Sequence, residues 1–171
     1  TRIDLGVLQL ECTGRPDGQE PHGCESLLEY FEQRRQEHID VSGDDQDFVL
    51  SPEDCRALRH EAYLYYQRYL SLFVLEEFDG VERDTARNLQ VMDLCERYAA
   101  AERDRTMLRP QRAYVLMMNT RARAQLAAAR GRHALALRLV DEGIAAIGRL
   151  CRRDEDEEYC AREIDTLRVL R

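Results

Sequence analysis

The chain has 171 residues, 44% of them hydrophobic and 34% charged, with a formal net charge of −8. That is enough chain for one domain with a real core. The composition is that of an ordinary soluble helical protein, and no apolar run approaches the roughly 18 residues of a membrane span.

Elements follow in chain order. The first residues, TRIDLGVLQLE, lack the basic flank and apolar centre of a signal peptide, so nothing argues for export. A short apolar segment, Leu5 to Leu10, leads into Thr13-Gly-Arg-Pro-Asp-Gly18, a turn-rich stretch that ends at Pro21. A first helix is expected from Cys24 to Ile39, with Leu27, Leu28, Phe31 and Ile39 on one side, then an acidic loop from Val41 to Asp47.

The second helix carries the clearest start signal. Ser51 suits the N-cap, Pro52 the first helical position, and Glu53 and Asp54 place negative charge in the first turn. Leu58, Ala62, Tyr65, Tyr69 and Phe73 then form an apolar stripe, widened by Tyr63, Leu64, Tyr66 and Leu70. Asp79-Gly80 is the expected end. A third helix carries Val81, Thr85, Leu89, Met92, Cys95 and Ala99 at helical spacing, and a fourth is expected from Pro110 to a stop at Gly131. A fifth runs to about Leu150 with Leu135, Leu139, Ile144 and Ile147 inward, and a sixth opens in the acidic run at 154–158. Ile164, Leu167 and Leu170 complete that last helix.

Setting Glu76-Glu-Phe-Asp79 against Gly131-Arg-His-Ala134 aligns Phe78 with His133 and Leu89 with Ile144, an offset of 55 residues. The small side chains Ala124, Ala127, Ala128, Ala134 and Ala136 favour close backbone approach in a tight antiparallel hairpin. The expected fold is therefore all-α, with tetratricopeptide-like hairpins stacked as a short α-α superhelix. Residues 1–50 would form a loop-rich segment plus the first helix, packed on a helical-hairpin domain at 51–171.

The hairpin at 114–147 resembles a tetratricopeptide-type unit without the full consensus. The segments GVLQLECTGRPDGQEPHGCESLLEY, RDTARNL and RAYVLMMNTRARAQLAAARG resemble a family of bacterial proteins of unknown function that carry a UvrB/UvrC-type helical motif near the C-terminus. The motif itself is not visible in this chain. The resemblance implies that Cys12 and Cys24 stand where relatives carry core side chains such as Met and Phe.

Six cysteines at irregular spacings suit free thiols in a reducing cytoplasm. Cys12, His22 and Cys24 are zinc-competent residue types, but His22-Gly23-Cys24 lacks the usual ligand spacing, so neither metal nor cofactor is expected. Cys55 and His60 lie roughly 140° apart around one helix, which separates the thiol from the imidazole. With no phosphate loop, catalytic carboxylate pair or nucleophile elbow, an enzyme is the third choice and no catalytic residue is assigned.

From Arg97 to Arg153 there are 13 Arg against four acids, a local balance of +9 in a chain of net −8. This segment can steer an acidic partner such as nucleic acid, or it can pair with acidic helices of the same molecule. The leading expectation is a non-enzymatic scaffold or adaptor that binds a protein or peptide through a concave, Arg-containing face. In tetratricopeptide-type domains an inner-helix Asn clamps a peptide backbone, which nominates Asn119, Arg123 and Asn88. Arg112 could bind a carboxylate and Tyr66 could offer an aromatic platform. Alternatives are a nucleic-acid accessory protein using the Arg-rich 105–138 segment, and a homo-oligomer such as a dimer. No membrane partner is expected.

Overall fold

A computed structural model describes residues 9–154 and 157–170, with the side chains at 153, 154 and 157–159 left aside. The expected apolar segment from Leu5 and the acidic run at 154–158 fall wholly or largely outside that description. A short 3-10 turn, Pro21–Gly23, precedes α1 (Leu27–Ser42), α2 (Pro52–Val74), α3 (Phe78–Tyr98), α4 (Glu102–Thr106), α5 (Arg109–Ala129), α6 (His133–Asp154) and α7 (Glu157–Arg168). Among the described residues the sole β contact is an isolated bridge between Leu50 and Ala99. The fold is all-α.

Local chemistry explains the helix starts. The Ser26 hydroxyl accepts from the Glu29 amide at 3.2 Å, so α1 begins at Leu27 rather than at Cys24. At α2 the Ser51 side chain accepts from the Asp54 amide and the Asp54 carboxylate accepts from the Ser51 amide, a reciprocal capping box with Pro52 in the first turn.

Helix ends depart from expectation in α1, which runs through Val41 to Ser42 beyond the expected Ile39, and in α2. Two residues before the expected stop at Gly131, α5 ends, and Gly131 takes a left-handed φ of 69°. Its amide bonds the Ala128 carbonyl while the Arg132 amide bonds that of Ala127. α2, however, ends at Val74, and Asp79-Gly80 lies in the first turn of α3. The residue that turns the chain is Glu76, at φ 60°. Its amide bonds Phe73 and the Glu77 amide bonds Leu72, the same motif without glycine. The short α4 had no counterpart in the expected elements.

Packing follows from these turns. α2 pairs with α3 and α5 with α6 as antiparallel hairpins, and α3 also packs against α5. One apolar cluster joins Leu28 and Phe31 of α1 to Leu58 of α2 and Val91, Leu94 and Tyr98 of α3. A second joins Tyr69 and Val81 to Met117, Met118, Val140, Ile147 and Leu167. Ala124 and Ala127 are buried as close packing requires, whereas Ala134 is exposed. The tightest approach of α5 to α6 lies elsewhere: a Cβ on Gly143 would sit 2.4 Å from the Thr120 hydroxyl.

The cysteine expectation is corrected in part. Cys151 and Cys160 form a disulfide that joins α6 to α7, while Cys12, Cys24, Cys55 and Cys95 are free. Nine residues apart in sequence, the two cysteines have their Cα atoms 5.9 Å from each other. Cys12 is exposed and Cys24 half-buried, so Cys12 is no core replacement. Among the described residues no helix is long and apolar enough to cross a membrane.

Candidate functional site

Helices α2, α3 and α5 meet around a cavity of about 250 Å³. Tyr63, Tyr66 and Tyr69 come from α2 and Tyr114 from α5, and the helical spacing of the first three puts them on adjoining turns. Tyr66 sits among the others. Its ring stacks on Tyr63 at 6.0 Å, meets Tyr69 edge-on at 5.4 Å and lies 6.4 Å from Tyr114. Tyr69 is fully buried, and burial pushes its hydroxyl pKa well above the ordinary tyrosine value. Tyr63 is 55% exposed and forms part of the rim with Arg59 and Gln111.

Asn88 of α3 lines this cavity and is 3% exposed. Its Nδ2 donates to the Ala62 carbonyl at 2.9 Å, and its Oδ1 is buried without a hydrogen-bond partner. Exchanging the two amide atoms would set oxygen against oxygen, so the orphan is the acceptor. A buried acceptor left unmet is uncommon, and this one is closed off from a water-sized probe. Among the described residues lining the cavity there is no carboxylate, thiol or imidazole. The site offers aromatic and apolar contact together with the polar groups of Gln111, Arg59 and the tyrosines, which is chemistry for binding.

The other nominated residues lie apart from this cavity. Asn119 is buried against α3, where its Nδ2 donates to the Thr85 hydroxyl at 3.0 Å and the Glu82 carbonyl at 3.2 Å. Both donors are spent inside the fold, so the amide joins two helices instead of facing a groove. Arg112 bonds Asp93 and lies 3.5 Å from Glu96, and Arg123 lies 3.7 Å from Glu82. Arg109 with Glu96 at 3.3 Å and Arg130 with Asp79 at 3.6 Å continue the series. The basic face of α5 thus covers an acidic face of α3. Arg121 lies over the Phe73 ring at 4.4 Å.

A second polar centre escaped sequence reading. Arg68 and Asp84, both buried, form a two-point ion pair at 2.7 and 2.8 Å. The remaining Arg68 nitrogen donates to the carbonyls of Glu11 and Gly14, each at 2.8 Å, and fastens the N-terminal loop to α2. The buried Glu61 carboxylate accepts from the amides of Leu27 and Leu28 at the start of α1, bonds Arg87, and lies 3.4 Å from Arg15. Arg87 stacks 3.7 Å from the Tyr65 centroid, and desolvation, then neighbouring Arg15, lowers its pKa to about 9. Burial raises that of Tyr65 to about 12. One signal was available: Glu61, Tyr65 and Arg68 share a helix face by their spacing, as do Asp84 and Asn88.

In the region first considered for zinc, His22 stacks on Tyr30 at 4.0 Å and the Cys24 thiol lies 3.5 Å from the Gln33 side-chain oxygen. Cys55 and Cys95 are buried and hydrogen-bonded to each other, which lowers the Cys55 pKa. Compared with protein-family models, with curated proteins and with solved structures, the chain matches none.

Proposed function

We propose that this protein is a non-enzymatic helical scaffold that binds a peptide segment of a protein partner at the tyrosine-walled cavity between α2, α3 and α5. The observation that carries the reading is the cavity of about 250 Å³ walled by Tyr63, Tyr66, Tyr69 and Tyr114, with Gln111 beside them. A peptide can supply both an apolar side chain and an N–H donor. The hairpins α2/α3 and α5/α6, repeated at an offset of 55 residues, support a tetratricopeptide-like arrangement for the scaffold. Of the residues nominated from the sequence, Tyr66 and Asn88 belong to this site. Arg112 and Arg123 serve the α3–α5 contact instead.

Four arginines of the 105–138 segment, Arg109, Arg112, Arg123 and Arg130, are matched by α3 carboxylates within the molecule, which favours the peptide reading over the nucleic-acid one. The Cys151–Cys160 disulfide likewise removes two of the six thiols on which a reducing cytoplasm was argued. Kinship with bacterial UvrB/UvrC-motif proteins rests on the three sequence segments alone.

The test is a random-peptide display library panned on the folded protein, with enriched peptides measured by fluorescence polarisation. Binding should be saturable and should weaken about tenfold or more in Tyr63→Glu, a rim change that leaves the core intact. A library that yields no binder above background defeats the proposal.

A further inference from the structure

We propose that the Cys151–Cys160 disulfide is a redox-controlled clasp: it holds α7 on the α5–α6 face, and its reduction releases α7 and uncovers that face. The clasp is independent of peptide binding at the tyrosine cavity. Three observations carry it.

The first is how little apolar surface α7 brings to its own docking. Of its described side chains, Cys160, Glu163 and Leu167 are buried and Ile164 is half-buried, whereas Ala161, Arg162, Asp165 and Arg168 are exposed. Leu167 is thus the one fully buried aliphatic among them, seated in the cluster that holds Met118, Val140 and Ile147. A helix of 12 residues is marginal by itself and needs packing to persist.

The second is the charge it buries. Burial raises the pKa of the Glu163 carboxyl, outweighing the opposing fields of Arg162 and Arg121. Release returns the carboxylate to water, so at neutral pH Glu163 favours the undocked helix.

The third is incomplete filling. Leu170, two residues past the end of α7, lines a cavity of about 220 Å³ with Ala124, Ala128, Ala136 and Val140. Side chains beside a void forgo contacts that close packing would supply.

Against these stands the disulfide, which joins residues nine apart and withholds most of the freedom that α7 would gain on leaving. The Cys151 sulfur lies 2.9 Å from the Ile147 carbonyl of its own helix, so the reduced thiol has an acceptor that does not require α7. The reductant is a dithiol. One of its thiolates attacks a disulfide sulfur and expels the other cysteine as thiolate. Its second thiolate then displaces the first cysteine from the mixed linkage, so the dithiol leaves as a disulfide and its two protons end on Cys151 and Cys160.

Hydrogen exchange of the full chain, read by mass spectrometry, tests this after equilibration with oxidised glutathione and again after reduction with dithiothreitol. On reduction the amides of residues 160–168 should exchange about tenfold or more faster, while those of α2 and α3 change less than about twofold. The variant Cys151→Ser/Cys160→Ser should show fast exchange at 160–168 without reductant and should not respond to dithiothreitol. That response separates the clasp from the free thiols Cys12, Cys24, Cys55 and Cys95, which the variant retains. Equal exchange of 160–168 in the oxidised and reduced chains would overturn the proposal. So would the absence of a 151–160 linkage after oxidised glutathione, or a loss of protection that spreads to α2 and α3.

Discussion

Glu76 and Gly131, 55 positions apart, close their helices in the same left-handed conformation, with φ of 60° and 69°. Each is followed by a residue whose amide reaches back to the first carbonyl of the motif, Leu72 in one hairpin and Ala127 in the other. The structural repeat is therefore in register with the sequence offset. Only one of the two turns carries the residue suited to it. A side chain in the left-handed region costs roughly 1–2 kcal/mol, and glycine avoids that cost.

Glu76→Gly should accordingly raise stability by about 1 kcal/mol, and Gly131→Ala should lower it by a similar amount. Urea unfolding of the two variants measures both. A Glu76→Gly variant less stable than the parent would show that the side chain contributes more than its backbone strain removes.

Gly143 presents the opposite sign problem. Helical Gly→Ala changes ordinarily gain about 0.5–1 kcal/mol, but here the new methyl would meet the buried Thr120 side chain at 2.4–2.5 Å. Overpacking costs about 1–3 kcal/mol, so Gly143→Ala should be net destabilising. Adding Thr120→Ala should return most of the loss, since it removes the clashing atoms. Equal effects of Gly143→Ala in both backgrounds would contradict the proposed contact.

The Arg68–Asp84 pair gives a third expectation. Removing one partner of a buried ion pair costs about 3–5 kcal/mol when the other charge is left uncompensated; Arg83 also donates to Asp84 at 3.0 Å, so the lower end applies here. Arg68→Met should reach that range and should also free the loop at residues 11–14, whose carbonyls it holds. Limited proteolysis would then cut first in that loop. The double variant Arg68→Met/Asp84→Leu should recover part of the stability while the loop stays cleavable.

Alkaline pH should distinguish Tyr69. An unfolded tyrosine loses its proton near pH 10, whereas burial holds the folded Tyr69 hydroxyl protonated to higher pH. Its pKa is raised on folding, so its contribution is fully present below about pH 10 and falls as pH rises further, because the unfolded chain then binds fewer protons. The urea midpoint of Tyr69→Phe should decline less steeply between pH 10 and 11 than that of the parent. Parallel declines would show that Tyr69 titrates alike in both states.

Much of the local architecture was legible because its causes are local. Ser51, Pro52 and Asp54 specify a helix start from neighbouring atoms alone, and Gly131 marks a stop that tolerates a positive φ. The 55-residue offset was equally readable, since a repeat is a property of the chain. What failed had one local origin and one distant origin. Asp79-Gly80 looked like an end, but Glu76 turned first. Asn119 was nominated for a groove and instead bonds Thr85 of α3, 34 residues away.

Only tertiary packing decided which arginines are spent on α3, that Cys151 meets Cys160, and that one oxygen of Asn88 faces no partner. Sequence alone settled that this chain makes amphipathic helices in a repeating order, because helix periodicity and capping act over a few residues. The assembled helices settled which polar groups are satisfied, because a hydrogen bond needs two atoms whose separation no local pattern encodes. The candidate site is of that second kind: a cavity left where the tyrosines of α2 and α5 meet α3.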